Sequence, residues 1–544
     1  MKPLRLFLFV VLTAAIGAGC DKPAAPASRP AAPYALSSQI VAHFHWRGKN
    51  NLATNTEAAT LLSVWNAPES AAVEARFLDK LSTAPWRLLP HVATTNSTSA
   101  APGLRSLLAD CVQYENYLEV RAATNQPGEL AFAIQLPADR ALVWQTNLAA
   151  VLESLTGLPP ERAEKGWVLK KHELPNRIEF IRVGEWIIVG IGQDQNALFT
   201  DFVARILRDH TPIAQASTGY LLDADLDWRR VSAAFKLQGS VSNELPKFSV
   251  QFTGDGQSIQ LHGTLDFPQP LNLALEPWNV PTNLIRGRLG SFTALRGFAP
   301  WLGGQKVWND LRLGPAPNQF FVWSGIGAPM QTLFATPVPA ASNRLAEITE
   351  TLMQQTDPWL VAHQAGHLER ATEFAGVSWL GMPFLGPYLR ATDGFLHGGF
   401  FPAPAGKNGL PPDLLLALSR TNTVYYDWEI TSPRIEAWFY IGQTLRLVLH
   451  KPQLPAESAS AAWLQAQTNT LGNCVSTIFQ TGPEQLTLVR RSSLGCTAFE
   501  LHLLADWLES PQFPLGLNTL VDQPELQRGR KRPAQAVPPP PPAD

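Results

Sequence analysis

The stretch FSVQFTGDGQSIQLHGTLDF, residues 248–267, decides the fold class. Phe248, Val250 and Phe252 alternate with Ser249, Gln251 and Thr253, the period-two pattern of a strand with one buried and one wet face. Gly254-Asp255-Gly256 interrupts the run, and Ile259, Leu261 and Leu265 resume it in phase, so the segment reads as a β-hairpin. A second hairpin reads from Ile178–Arg182 and Trp186–Ile191 around Gly184-Glu185. Both point to antiparallel sheet.

Outward from these hairpins the pattern alternates between periods of two and 3.6. Strand signals lie at Ile40–Trp46, Tyr117–Ala122 and Leu130–Leu136. Helices are expected after the candidate cap Asn55, from Pro68, and through Trp144, Leu148, Val151 and Leu155, where Gly157 supplies a left-handed stop. Residues 37–267 thus form a first α+β block. Residues 268–318, dense in Pro and Gly, read as a linking region with a short helix near 292–298. A second α+β block, 319–526, has strands at Phe320–Trp323, Thr423–Ile430, Val475–Phe479 and Leu486–Arg490. Its helices follow Ser342 as a cap, start at Ser432-Pro433, and run from Ala498 to Leu508, whereas 374–401 fits no single element. The fold class is α+β with mostly antiparallel sheets. A weak internal duplication is suggested by Tyr220–Trp228 with Arg229–Phe235 and Thr423–Trp428 with Arg434–Phe439, which share strand, Asp-Trp and helix in that order.

Composition narrows the function classes. With 45% hydrophobic and 16% charged residues among 544, the chain can bury sizeable cores. A net charge of −2 without a basic stripe gives nucleic acid no electrostatic footprint. Seventeen Trp would suit ligand stacking, but Trp65, Trp144 and Trp438 fall within apolar periodicities and read as core.

The N-terminus points to export. Lys2 and Arg5 precede the apolar run Leu6 to Ile16, and Gly17-Ala18-Gly19 leads to Cys20. That run is too short to span ~30 Å of hydrocarbon, so residues 1–19 read as a signal peptide. Small residues directly before a cysteine resemble the lipobox of bacterial lipoproteins, although Gly17 stands where that pattern usually has Leu. The resemblance implies a cell-envelope protein held to a membrane by lipid on Cys20, through a Pro/Ala-rich tether, residues 20–36. The choice of inner or outer membrane stays open. The tail 527–544 joins four basic residues to a five-proline run and reads as disordered. Of the remaining cysteines, Cys474 and Cys496 are either bonded to each other or free, with Cys111 left over.

No motif reaches the standard of a catalytic or cofactor signature. His363 and His367, four apart, would share a helical face and a metal, yet Gln364 replaces the Glu that the resembling zinc peptidases need as base. Asp427-Trp428-Glu429 resembles the end of the Asp-rich signature of chitinase-like glycosidases, which would make Glu429 the general acid. The match covers three residues, and Asn422 and Tyr425 stand where further acids belong, so a solvated strand face is the plainer expectation. Asp223, Asp225 and Asp227 begin like a calcium loop but meet Trp228 where Gly is needed. His43 and His45 share a strand face without further ligands in sight. The expectation is therefore a non-enzymatic envelope lipoprotein, without cofactor, that binds or scaffolds an envelope protein or an apolar ligand. An envelope hydrolase acting on glycans or peptides, through Asp427 and Glu429 or through His363 and His367, is the competing class. Mass spectrometry of the N-terminal peptide from membrane fractions should find acyl chains on Cys20; an unmodified terminus in the soluble fraction would remove the tether.

Overall fold

The alternation seen in the 248–267 hairpin extends, strand by strand, through one antiparallel sheet. The computed structural model describes residues 40–88, 97–122, 128–170, 177–192, 196–213, 219–234, 245–310, 314–326, 330–371, 376–382, 385–401, 410–448 and 458–518. The expected signal peptide, Cys20, the tether and the 527–544 tail lie outside these residues.

The first ten strands are β1 (Ile40–Trp46), β2 (Asn116–Arg121), β3 (Glu129–Gln135), β4 (Glu161–Ala163), β5 (Gly166–Leu169), β6 (Arg177–Val183), β7 (Trp186–Gly192), β8 (Leu222–Leu226), β9 (Lys247–Gly254) and β10 (Ile259–Asp266). They hydrogen-bond in the order β4-β5-β6-β7-β3-β2-β1-β8-β9-β10, every pair antiparallel. The next ten are β11 (Leu289–Arg296), β12 (Gln319–Gly325), β13 (Thr332–Pro337), β14 (His367–Arg370), β15 (Gly376–Leu380), β16 (Tyr388–Thr392), β17 (Phe395–Gly399), β18 (Thr423–Ile430), β19 (Asn473–Gly482) and β20 (Gln485–Ser492). Their order is β14-β15-β16-β17-β13-β12-β11-β18-β19-β20, the same connectivity with ten added to each number. The halves meet where β10 pairs antiparallel with β20, from Ile259 opposite Ser492 to Asp266 opposite Gln485. The chain is thus a topological duplication about an approximate two-fold. The sequence echo at 220–228 and 423–428 falls on β8 and β18, which hold equivalent places.

The helices follow the same plan. They are α1 (Pro68–Leu88), α2 (Ser97–Gln113), α3 (Ala138–Thr156), α4 (Ala197–Asp209), α5 (Ala341–Gln355), α6 (Asp357–Ala362), α7 (Pro412–Leu418), α8 (Thr431–Val448), α9 (Ala459–Gln467) and α10 (Ala498–Leu508), besides other short helices such as Ala59–Trp65 and Trp228–Ala234. α3 and α5 leave β3 and β13, whereas α4 and α7 lead into β8 and β18. Among the described residues no helix is long and apolar enough to cross a membrane.

Burial explains the sequence pattern of each half. In the first, Leu118, Leu130, Phe132 and Val189 share one face and pack with Leu107 of α2 and Trp144 of α3. Tyr117, Ala133 and Ile188 on the opposite face pack under Phe199 and Phe202 of α4. Both faces of β3 and β7 are therefore covered, which is why their sequences are almost continuously apolar. Gly190 permits this, since a Cβ there would lie 2.4 Å from the Phe199 ring. In the second half the main apolar cluster, with Phe292, Phe321, Trp323 and Tyr426, lies on the face that α7 covers through Leu414 and Leu418. A helical seam adds a second link between halves: Val64 and Val73 pack with Ile435, Trp463 and Leu501, and the Trp463 indole donates to Ser70 Oγ at 2.9 Å.

Two local expectations are corrected. Residues 292–298 do not begin a helix, because Phe292 and Ala294 belong to β11, a strand flanked on both sides within the second half. Pro and Gly on both sides of this strand masked its short alternation. Ser342 is not the cap of α5; Ala340 is, in the left-handed region with φ 50°. Residues 376–399, which fit no single element in sequence, form β15, β16 and β17.

Candidate functional site

The register of β18 places Asp427 and Glu429 on one strand face, as period two requires. That face is buried. Asp427 sits between Thr293 of β11 and Ser476 of β19, and Glu429 between Ser291 and Cys474. Thr293 Oγ1 donates to Asp427 Oδ1 at 2.6 Å, and the first backbone N–H of α10, from Ala498, donates to Glu429 Oε1 at 2.7 Å. A carboxylate at a helix N-terminus satisfies an orphan donor and meets the positive end of the helix dipole. The solvated strand face expected from sequence is thus a sealed polar layer under α8 and α10, with Asp427 only 7% and Glu429 only 3% exposed.

Two guanidinium groups complete this layer. Arg490 of β20 binds Glu500 at 2.6 Å and the Gly495 carbonyl at 2.8 Å. Arg434, in the first turn of α8, lies over the Trp438 ring at 4.8 Å. Burial pushes both carboxyl groups upward, and Asp427 raises its neighbour further, so that Glu429 titrates at about 7. The Thr293 hydrogen bond and the two arginines pull Asp427 back toward ionisation. Burial also raises the Cys474 and Cys496 thiols, the latter to about 12, and the two are not joined in a disulfide. Neither is an activated nucleophile.

The histidine pair separates. His363 follows α6, stacks on Trp359 at 4.4 Å and binds its carbonyl through Nδ1, whereas His367 opens the edge strand β14. Gln364 at φ 55° and Gly366 at φ 94° turn the chain between them, so no common helical face exists. His43 and His45 do share a face but bind different carboxylates, Asp223 at 2.9 Å and Glu115 at 2.8 Å. Asp225 is held by Ser249 and Lys247, and Asp227 caps the turn at Arg230. Among the described residues no group of three or more His, Cys, Asp or Glu is placed to hold a metal ion.

A cleft of about 370 Å³ opens on the opposite face of the second half, at the end of β11. Leu275, Pro277, Trp278 and Val280 form one wall, and Leu415 and Leu418 of α7 the other. At its base Arg296 stacks on Trp278 at 4.5 Å. Its Nε donates to the Thr423 carbonyl at 2.8 Å and Nη2 to that of Thr421 at 2.7 Å. These bonds tie β11 to the segment leaving α7. Arg296 and this cleft carried no signal in the sequence, since the lining residues come from two stretches more than a hundred residues apart. Comparison with protein-family models, with curated proteins and with solved structures gives no match.

The carboxyl pair yields a pH prediction. A folded-state value near 7, against an ordinary 4.5 for Glu429, means that the unfolded chain binds fewer protons between these limits, so this group's stabilisation fades as pH rises through that window. Glu429→Gln keeps the acceptor for Ala498 and removes the titration. Wild type should therefore gain on the order of 2–3 kcal/mol relative to E429Q between pH 7.5 and pH 5 in denaturant melts. A difference that does not change with pH would place the titration elsewhere.

Proposed function

We propose that this chain is a lipid-anchored binding protein of the bacterial cell envelope that holds an apolar ligand in the cleft at Trp278, without chemical turnover. The observation that carries this reading is the placement of acids and cleft on opposite faces of one sheet. Arg296 alternates with Thr293, whose neighbour across the ladder is Asp427, so the β11 and β18 backbones separate the cleft from the carboxyl pair. Hydrolysis by paired carboxylates needs both to flank a bound substrate. The cleft instead offers Leu, Pro, Trp and Val side chains, with Arg296 and Arg420 among its few polar groups, and its size suits a small, largely apolar molecule.

The envelope location and the membrane as partner come from the N-terminal sequence, with Cys20 as the point of attachment. An apolar ligand fits that setting, because a soluble domain on a tether can reach lipid-derived molecules that water dissolves poorly.

Titration of the full-length chain in mild detergent with the neutral probe N-phenyl-1-naphthylamine should give saturable fluorescence enhancement. Leu415 is 40% exposed at the cleft rim, so L415E tests the site with little effect on the core. L415E and W278A should each weaken the probe by about tenfold or more, equal to ~1.4 kcal/mol. Probe binding that neither substitution changes would end this assignment.

A further inference from the structure

A second concavity, of about 70 Å³, lies between the β11–β12 ladder and the first turn of α8. Gly290, Ser324 and Gly325 form its floor, and Arg434 and Glu436 stand over it. The ladder shifts register between Leu289 and Ser291, and the missing side chain at Gly290 leaves the space open. A Cβ at Gly290 would stand 3.3 Å from Ser324 Oγ, and one at Gly325 would lie 2.6 Å from Gln331 Oε1. Ser324 makes the floor polar, and it shares a hydrogen bond of 2.8 Å with the buried Ser291.

Arg434 distinguishes this pocket from a packing gap. It is 6% exposed, yet its Nε and Nη1 have no hydrogen-bond acceptor. Glu429 and Asp427 face it electrostatically, but the hydrogen bonds of the acids in its layer go elsewhere: Asp427 with Thr293, Glu429 with Ala498, and Glu500 with Arg490. No carboxylate among the described residues forms an ion pair with Arg434, and stacking on Trp438 fixes its plane. Buried donors of this kind call for an acceptor, and a charged acceptor binds a guanidinium most strongly. A pocket that holds only a few water-sized groups admits a compact ligand or the end of a larger one.

We propose that this pocket binds a compact oxyanion, a carboxylate or a phosphate group, on Arg434. Glu436 at the mouth is exposed and opposes the incoming charge, so it limits affinity. This site lies on the same sheet face as Asp427 and is independent of the apolar cleft.

Calorimetric titration of the full-length chain with sodium acetate and with inorganic phosphate, at constant ionic strength, tests the assignment. One-to-one saturable binding of either anion is expected, and the anion that binds names the source. R434Q should weaken it by about tenfold or more, and E436Q should tighten it by roughly two- to fivefold. G290A keeps Arg434 and fills the floor, so it should also abolish or strongly weaken binding, and it serves alone should R434Q fail to fold. No saturable binding of either anion to folded wild type would overturn the proposal. So would binding that survives G290A and every folded Arg434 variant unchanged.

Discussion

Eight residue pairs between β10 and β20 join the two half-sheets into one. Each half ends its sheet on the last strand of its own repeat, and that strand would otherwise be a bare edge with unpaired N–H and C=O groups. Pairing the two edges satisfies both at once and removes the most exposed template for aggregation from the centre of the chain. It also fixes the faces. Leu261 opposes Arg490 and Gly263 opposes Leu488, so the apolar face of the first half continues into the polar layer of the second.

The two halves of one topology nevertheless fill their faces differently. On the face shared by α1, α2, α3, α8 and α10, the first half presents Leu118, Phe132 and Leu261, and the second presents Asp427, Glu429 and Arg490. On the reverse face the first half sets His43, His45 and Asp223 beside the apolar cluster of Tyr117, Ile188 and Phe202, and the second presents Phe292, Phe321 and Tyr426. The buried acids demand donors, and Thr293 of β11 and the Ala498 N–H of α10 supply them. The apolar reverse face of the second half is incompletely covered by the short α7, and the cleft at Trp278 is the consequence. The cleft thus lies where the duplicated plan is filled unequally: α4 has thirteen residues, its counterpart α7 only seven.

Much of the fold was legible in the sequence. Strict alternation marked β9 and β10, and the helices with strong periodicity and clear stops, such as α3 before Gly157, stood where expected. The α+β class and antiparallel pairing followed from the hairpins. Where both sheet faces are covered, or where strands of five residues are cut by Gly and Pro, period two loses contrast, and β11, β15, β16 and β17 were missed for that reason. Asp427 and Glu429 were legible as a same-face pair, but their burial was not, because it depends on α10, seventy residues later. Arg434 and Arg296 gave no signal, since an arginine's importance lies in the partners it lacks or finds in space. The duplication left only a faint trace at β8 and β18, as expected when topology persists and the residues that fill it differ.

Hydrogen exchange across a denaturant series tests the joined sheet most directly, with peptides covering 259–266 and 485–492 followed by mass spectrometry. If the β10–β20 ladder unites the halves, both segments will be strongly protected in the native chain and will lose protection at the same denaturant concentration. Protection of one segment while the other exchanges freely would show that the halves open independently, and would contradict a single shared sheet.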